Sequence, residues 1–376
     1  FSAAGVAALT GERLPAPAAV EAIGSLCEQE IVERADNGEL AFRHALLREA
    51  AYGTFPDEER ALAHALAARW LAASDERDAL RVAEHADRGR ELALAVRYFV
   101  RAGERALEAH DMALAKHCVA RGLVCGAEGA DKGALLAVEA ETLEWQGDAG
   151  AAAARAEEAM ALLAPGDRWW NRATAPLLAG VLARGDTPPE PLVDKLLALD
   201  GAGPDHWLLL ARTAAYLVLA DRPSVVAPLI ERLATVDASA LAAHPQAAGW
   251  FALTRSLLAA IKGDTERALV ESFASEAMFI GAGDLRSAGF AELNNGCFLL
   301  ALGDWLRAAA CSDALLHRAT RSGFAFLVAS ARANLGLAYL QLGRLDEADA
   351  TLQTAVDECS AAGDRRMEGV TLCYRA

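Results

Sequence analysis

The sequence lacks any apolar run of the roughly 18–20 residues that a membrane-spanning helix needs. It also lacks a positively charged leader followed by a short apolar stretch, the pattern of a secretory signal. Both absences predict a soluble, cytoplasmic protein that does not bind membranes. Aromatic residues make up only 6% of the chain although 54% is hydrophobic, so alanine and leucine supply most of the apolar surface. Because these residues lose little conformational entropy in a helix, the composition favours helices.

Motifs of catalysis and of cofactor binding are also missing. The chain has no GxxxxGK[ST] loop for nucleotide phosphates, no HRD or DFG triplet of a kinase, and no HExxH or GxSxG motif. The glycines of GAGDLRSAG, residues 281–289, have the wrong spacing for a dinucleotide-binding loop. We therefore predict that this chain is not an enzyme and that it carries no cofactor.

No cysteines are paired as CxxC, and the seven cysteines are scattered along the chain. An odd, scattered set is typical of reduced thiols in a cytosolic protein. Cys118 and Cys125 are seven residues apart and could share a helix face, but free cysteine usually packs as a small hydrophobic residue. His110 and His117 have the same spacing and no third ligand, so no metal site is predicted.

The net charge of −16 and a pI near 5.0 argue against a general nucleic-acid-binding protein, which needs a basic surface to release counterions. The acidic balance is compatible with binding of a basic partner, and with a locally basic patch on the surface.

Internal repetition is the strongest positive signal. In ANLGLAYLQLGRLDEADATLQTAV, Leu335-Gly336, Tyr339, Ala348 and Leu352 match the L-G-x2-Y…A-x3-F pattern of a tetratricopeptide repeat, with leucine in place of phenylalanine. Small Gly336 and Ala348 let two antiparallel helices approach, while Tyr339 and Leu352 fill the gap between them. Turn markers recur upstream at intervals of 35 to 43 residues: His110, Gly147, Gly185, Ala220, Gly263, Gly303 and Gly343.

The aspartates that follow most of these markers suit the N-caps of second helices. The chain of 376 residues exceeds the roughly 250–300 residues of a single core, which also favours a repeat array. We predict an all-α fold: a right-handed superhelical tetratricopeptide solenoid over residues 76–376, with about seven hairpins, the last one truncated. Prolines at positions 176, 188, 189 and 191 are expected to distort the pattern between residues 165 and 245.

The first 75 residues differ from the repeats. Asn37-Gly38 stands between two short apolar runs, which predicts a β-hairpin, and the flanking segments read as helices. Together they predict a small winged-helix-like module over residues 1–75. Residues 20–33 contain four glutamates and no lysine or arginine, so DNA binding by this module is not expected.

The segment FRHALLREAAYGTFPDEERALAHALAARWL and the following VAEHADRGRELALAVRYFVRAGERALEAHDMALA resemble the junction between a STAND-type (AAA-like) signalling ATPase and its tetratricopeptide tail. Such junctions occur in large bacterial regulators, and RGLVCGAEGADKGALLAVEAETLEWQGD is most similar to the group linked to serine/threonine protein kinases. The resemblance implies an upstream P-loop ATPase and a kinase domain. Phe1 in place of methionine also led us to expect a piece of a longer protein.

In STAND proteins that this junction resembles, a winged-helix histidine can contact nucleotide phosphates on the neighbouring ATPase domain. The resemblance makes His44, with Arg43 beside it, the candidate for this role. The alternative is structural: Arg43, Arg48 and Glu49 form weak surface ion pairs while Leu46, Leu47 and Tyr52 pack in the core.

Three asparagines are candidates for the binding groove: Asn294, Asn295 and Asn334. Asn294 and Asn334 each precede a helix glycine by two residues, a position that commonly faces the groove in this repeat family. Because an asparagine amide both donates and accepts, it suits an extended peptide backbone. Arg332, Arg307 and Arg286 could add positive charge for an acidic peptide.

Two functions stay open. The first is recognition of a partner protein, or of the protein's own catalytic domains, through the concave groove. The second is sensing of a small metabolite in a pocket near Trp169, Trp170 and Trp207, although these tryptophans could equally fill packing gaps. A groove lined by polar side chains would favour the peptide, whereas a closed apolar pocket would favour the metabolite.

Overall fold

The computed structural model describes residues 2–10, 16–34, 39–74, 78–188, 190–199, 201, 203–221 and 223–376. The predicted hairpin turn Asn37-Gly38, Pro189 and Phe1 lie outside the described residues.

The prediction of an all-α helical-repeat fold is confirmed. The described residues form 21 helices and one two-stranded sheet, in this order: α1 Ala3–Thr10, α2 Ala16–Glu28, β1 Val32–Arg34, β2 Leu40–Phe42, α3 Ala45–Gly53, α4 Asp57–Ala73, α5 Ala79–Arg88, α6 Leu92–Glu108, α7 Met112–Val124, α8 Gly129–Trp145, α9 Ala149–Leu162, α10 Arg168–Ala183, α11 Glu190–Ala198, α12 Pro204–Leu219, α13 Pro223–Ala234, α14 Ala238–Ala242, α15 Pro245–Ile261, α16 Thr265–Gly281, α17 Leu285–Ala301, α18 Trp305–Ser322, α19 Ala325–Gln341, α20 Leu345–Ala361 and α21 Arg365–Arg375. Among these helices, none is both long and apolar enough to cross a bilayer.

Turns explain the repeat length from α15 onward. Glycines with left-handed backbone recur every 20 residues, at positions 263, 283, 303, 323, 343 and 363, with φ between 68° and 81°. Glycine adopts this conformation without steric cost, so each one ends a helix after 17 or 18 residues. Two such helices with their turns account for the 40-residue intervals.

The predicted aspartate caps are present at several of these turns. The carboxylates of Asp148, Asp264 and Asp304 each accept a backbone N–H three residues later, at 2.9, 3.1 and 3.3 Å. Asp111 does the same at Leu114, 2.9 Å away. Asp186 does not cap a helix, because α11 begins only at Glu190.

The chain divides into two compact units, residues 1–135 and 136–376. In the first unit, β1 and β2 pair antiparallel with Val32 opposite Phe42, as the hairpin pattern predicted. Ile23, Val32 and Leu40 form a small buried core there. The predicted module boundary after residue 75 stays a prediction.

Helix α3 departs from the structural interpretation of its segment. Leu46, Leu47 and Tyr52 are not in the core: 78%, 40% and 45% of their surfaces are exposed. No residue of α3 is buried. The expectation that these side chains pack inside was wrong because the helix leaves every face in solvent.

In the second unit, small residues allow close helix packing, as predicted at Gly336. A Cβ atom at Gly336 would lie 2.6 Å from Cγ of Leu352, which is itself buried. Gly249 packs in the same way against the ring of Phe279. Pro176 does not interrupt α10, which continues for seven further residues.

Candidate ligand cavity in the second unit

The inner helices of the second unit surround a cavity of about 290 Å³. It is lined by residues of α8, α9, α10, α12, α17, α19, α20 and α21, and by the turns before α9 and α21. Most of the lining comes from the first helices of the hairpins, with one residue each from the second helices α9 and α20. Helix α21 contacts α10, so the space is partly enclosed rather than an open groove.

Aromatic rings form one wall of the cavity. Trp145 lies 5.7 Å from Phe324 and 6.4 Å from Phe290, measured between ring centroids. Phe290 in turn stacks on Phe326 at 5.3 Å. These rings come from α8, α17, the start of α19 and the residue before it, so a repeat array brings together side chains that are far apart in sequence.

Polar groups are a minority of the lining, and the ionisable ones lie at two places, with Asn294, Ser330 and Asn334 between the apolar residues. At one end, Tyr216 donates a hydrogen bond to Glu144, at 3.1 Å. Elsewhere the lining includes Asp364, Arg366 and Tyr374 from the last helix and its cap. The cavity is therefore mostly apolar, with a small number of placed polar groups, as is usual for sites that bind small molecules.

A buried charge cluster adjoins the Glu144 end. Glu141 accepts hydrogen bonds from Arg172 at 2.7 and 3.1 Å and from Arg286 at 3.2 Å. Burial alone would raise the pKa of Glu141, but the guanidinium groups of Arg172, Arg286 and Arg212 outweigh it and lower this pKa to about 2. Glu141 is therefore a carboxylate whose charge is already matched.

Two arginines of this cluster retain unused donors. Arg286 lies over the ring of Trp145 at 4.1 Å, and Arg212 over the ring of Trp250 at 5.4 Å. Among the described residues, Nε and Nη1 of Arg286 and Nε of Arg212 are buried without a hydrogen-bond partner. Oε2 of Glu144 and Nε1 of Trp145 are likewise buried without a hydrogen-bond partner. Burial also raises the pKa of Glu144.

The three candidate asparagines differ in their position relative to the cavity and in their hydrogen-bond partners. Asn294 and Asn334 both line the cavity, but Asn294 donates to the carbonyl of Phe290 in its own helix, at 2.8 Å. Asn334 donates to the carbonyl of Leu293, at 3.2 Å. Asn295 is fully buried and donates to Glu276, at 2.6 Å, away from the cavity lining.

The candidate arginines lie elsewhere, except Arg286. Arg332 pairs with Glu358 at 3.0 Å and lines a separate surface depression beside His317. Arg307 is an exposed residue at the start of α18 and pairs with Asp304.

The three tryptophans do not form one pocket. Trp170 is buried in a core cluster, and Trp169 packs under Arg168 and Arg172 at 4.6 and 5.3 Å. Trp207 meets the ring of His244 edge-on at 5.7 Å. None of them lines the cavity, so among the described residues they are packing side chains.

The sequence analysis did not identify several residues of the site, above all Glu141, Glu144, Arg212 and Tyr216. One signal was available: a helix face that combines Glu141 and Glu144 with Trp145 inside an alanine-rich repeat is unusual. Their partners lie on helices 31 to 145 residues away, which no local pattern reports.

In the first unit, His44 is exposed at the N-terminus of α3, and its side chain makes no capping bond. Arg43 pairs with Glu30 at 2.8 Å. Among the described residues no group of three or more histidine, cysteine, aspartate or glutamate side chains is arranged to hold a metal ion. Burial raises the pKa of Cys118 to about 12 and that of Cys125 to about 11, which disfavours the thiolates.

No family model matches this sequence, and no curated protein matches it. Among solved structures, the chain is similar to a signal transduction ATPase with numerous domains (STAND) with a tetratricopeptide repeat sensor, from Pyrococcus horikoshii. The two share 15% sequence identity with a TM-score of 0.43, and the match covers 100% of this chain and 50% of the other. The chain thus spans about half the length of that archaeal protein.

Proposed function

We propose that this chain is a non-catalytic recognition part of a signalling protein and that its second unit senses a small molecule. The partly enclosed cavity carries this proposal. Its volume of about 290 Å³ lies at the lower end of the range for ligand pockets, and its lining is aromatic with few polar groups. A closed apolar pocket is the feature that separates metabolite sensing from binding of an extended peptide.

The asparagines support the same choice. A groove that binds a peptide backbone needs amide groups that are free to exchange hydrogen bonds with it. The side-chain N–H groups of Asn294 and Asn334 already donate to backbone carbonyls inside the protein. A peptide would have to break these bonds, whereas a small ligand could use the aromatic wall and leave them intact.

A ligand here would also act on the repeat array. Residues of eight helices meet at the cavity, and α21 contacts α10. A molecule that binds the closed arrangement better than an open one shifts the population toward closure. Small rotations between hairpins then add up along the array, which converts binding into a change of surface for a partner domain.

The test is ligand-dependent thermal stabilisation of the purified chain by a metabolite panel, with a peptide panel in parallel. The variant Ala329→Leu fills the cavity, because Ala329 is a buried lining residue. Its control, Ala310→Leu, makes the same change at an exposed position of α18. We expect metabolites to raise the melting temperature of the wild type and of Ala310→Leu and not that of Ala329→Leu. Stabilisation by peptides alone would contradict the proposal.

The first unit is proposed to face another domain of a longer regulator. Its resemblance to STAND junctions and the full exposure of α3 support this role. His44 is accessible there for a contact with bound nucleotide. A serine/threonine kinase–ATPase is the proposed parent, and the coding sequence upstream checks it: P-loop and kinase motifs are expected, and their absence would refute it.

A further inference from the structure

We propose that the ligand of this cavity is a compact organic acid: an apolar or aromatic body with one carboxylate placed at the Glu144–Tyr216 end. This inference rests on the proposed small-molecule function and specifies its chemistry.

The balance of charge around the cavity carries the inference. Around the cavity and its adjoining cluster, four arginines (Arg172, Arg212, Arg286 and Arg366) stand against three carboxylates (Glu141, Glu144 and Asp364). These arginines are half-buried, and positive charge that is partly withdrawn from water without a partner is costly, so an anionic group is the addition that lowers the free energy of this site. The whole chain is strongly acidic, which makes a local excess of arginine more informative.

The unused donors indicate where the anion lies. Two N–H groups of Arg286 and one of Arg212 are buried without partners, and both arginines adjoin the residues that line the Glu144 end. Hydrogen bonds from a guanidinium to a carboxylate are short and about twice as strong as neutral ones. Neither arginine lines the cavity itself, so the proposal requires the ring of Trp145 or Tyr216, both of which do line it, to move before a ligand carboxylate reaches these donors.

The two glutamates of the site already have hydrogen-bond partners, so they do not call for a cationic ligand. Glu141 is matched by two arginines, and Glu144 accepts from Tyr216. Burial raises the pKa of Glu144, and a bound anion beside it would favour the protonated acid further. In that form Glu144 is a hydrogen-bond donor and adds to the anion site.

The aromatic wall of the cavity favours a flat, apolar group as the part of the ligand away from its carboxylate. Phe290, Phe324, Phe326 and Trp145 offer ring faces and edges to a flat apolar group. Offset or edge-to-face contacts with such rings add to the gain from burying apolar surface.

The experiment compares ligands that differ only in charge. Benzoate, 3-phenylpropionate and indole-3-acetate are each titrated calorimetrically into the full chain at neutral pH, beside the matching amides and amines. We expect at least one acid to bind, about tenfold or more tightly than its amide, with the amine weakest. An amide or amine that binds as well as its acid overturns the inference, and so does a failure of all the acids.

A variant locates the anion. Arg212→Met is expected to weaken binding of the acid about tenfold while leaving the amide unchanged. The control Arg307→Met removes an exposed arginine of α18 and should change neither. Equal affinity of the acid for Arg212→Met and wild type would refute the assigned position. If Arg212→Met does not fold, the charge series on the wild type decides.

The two proposals fail in different ways. If a neutral or cationic metabolite stabilises the wild type but not Ala329→Leu, the cavity is a ligand site and the acid is the wrong class. If no small molecule stabilises the wild type, both proposals fail together.

Discussion

Two histidines of the first unit meet through their ring nitrogens, His64 on α4 and His85 on α5. Their Nδ1 atoms are 2.9 Å apart, so one ring must donate and the other accept, and Tyr52 is hydrogen-bonded to Nε2 of His64 at 2.9 Å. Burial lowers the pKa of both rings. For His85, the neighbouring His64, Arg81 and Arg88 lower it further, to about 4. The folded protein therefore favours the neutral form of both imidazole rings.

This arrangement predicts a loss of stability in mild acid. An unfolded histidine takes up a proton near pH 6.5, whereas folded His85 does so only near pH 4. The contribution is therefore fully present above about pH 6.5 and is lost as the pH falls from there toward about 4. Urea unfolding at about pH 7.5 and about pH 5.5 should show a smaller difference for His85→Gln than for the wild type. His44→Gln, at an exposed position, is the control. Equal differences for all three proteins would contradict the prediction.

At the scale of helices, the periodic glycines determine where each element ends. The sequence analysis recognised the turns at Gly263, Gly303 and Gly343, because Gly-Asp or Leu-Gly pairs mark them. It missed the alternate turns at Gly283, Gly323 and Gly363, although they have the same spacing and the same left-handed backbone. The 20-residue period was present in the sequence. It became visible only once helices α15 to α20 were seen to have 17 or 18 residues each.

Helix packing gives a second prediction, at Gly336. A Cβ there would lie 2.6 Å from Leu352, so Gly336→Ala should destabilise the second unit by about 1–3 kcal/mol through overpacking. Gly369→Ala is the matched control, since Gly369 is an exposed helical glycine of α21 with no atom within 4 Å of the added methyl group. It should be neutral or stabilise by up to about 1 kcal/mol. The free energy of unfolding in urea measures both. A Gly336→Ala protein as stable as the wild type would show that the helices can separate at no cost.

At the scale of the whole protein, the prediction concerns His44 in the longer regulator proposed above. If His44 contacts nucleotide phosphates on an ATPase domain, His44→Ala should speed nucleotide release and raise basal signalling, because the closed state loses a charged contact. Replacing exposed His317 of α18 by alanine is the control. Unchanged nucleotide retention in His44→Ala would remove the basis for this role.

The helical repeat was determined by the sequence itself. Alanine and leucine composition, left-handed glycines and aspartate caps act within one helix or one turn, so they can be read along the chain. The small-residue contact at Gly336 was predictable for the same reason. The exposure of α3 was not, because an apolar pattern shows which face could be buried and not whether a neighbour covers it.

The cavity and its charges were decided only by the tertiary structure. Arg286 reaches Glu141 across 145 residues, and α21 reaches α10, because stacked hairpins bring their inner helices together. Asn295 directly follows the groove candidate Asn294, yet one step around a helix, about 100°, turns it from the cavity to Glu276. Local sequence specifies the helices and their ends. Which side chains meet inside depends on distances that only the packed array defines.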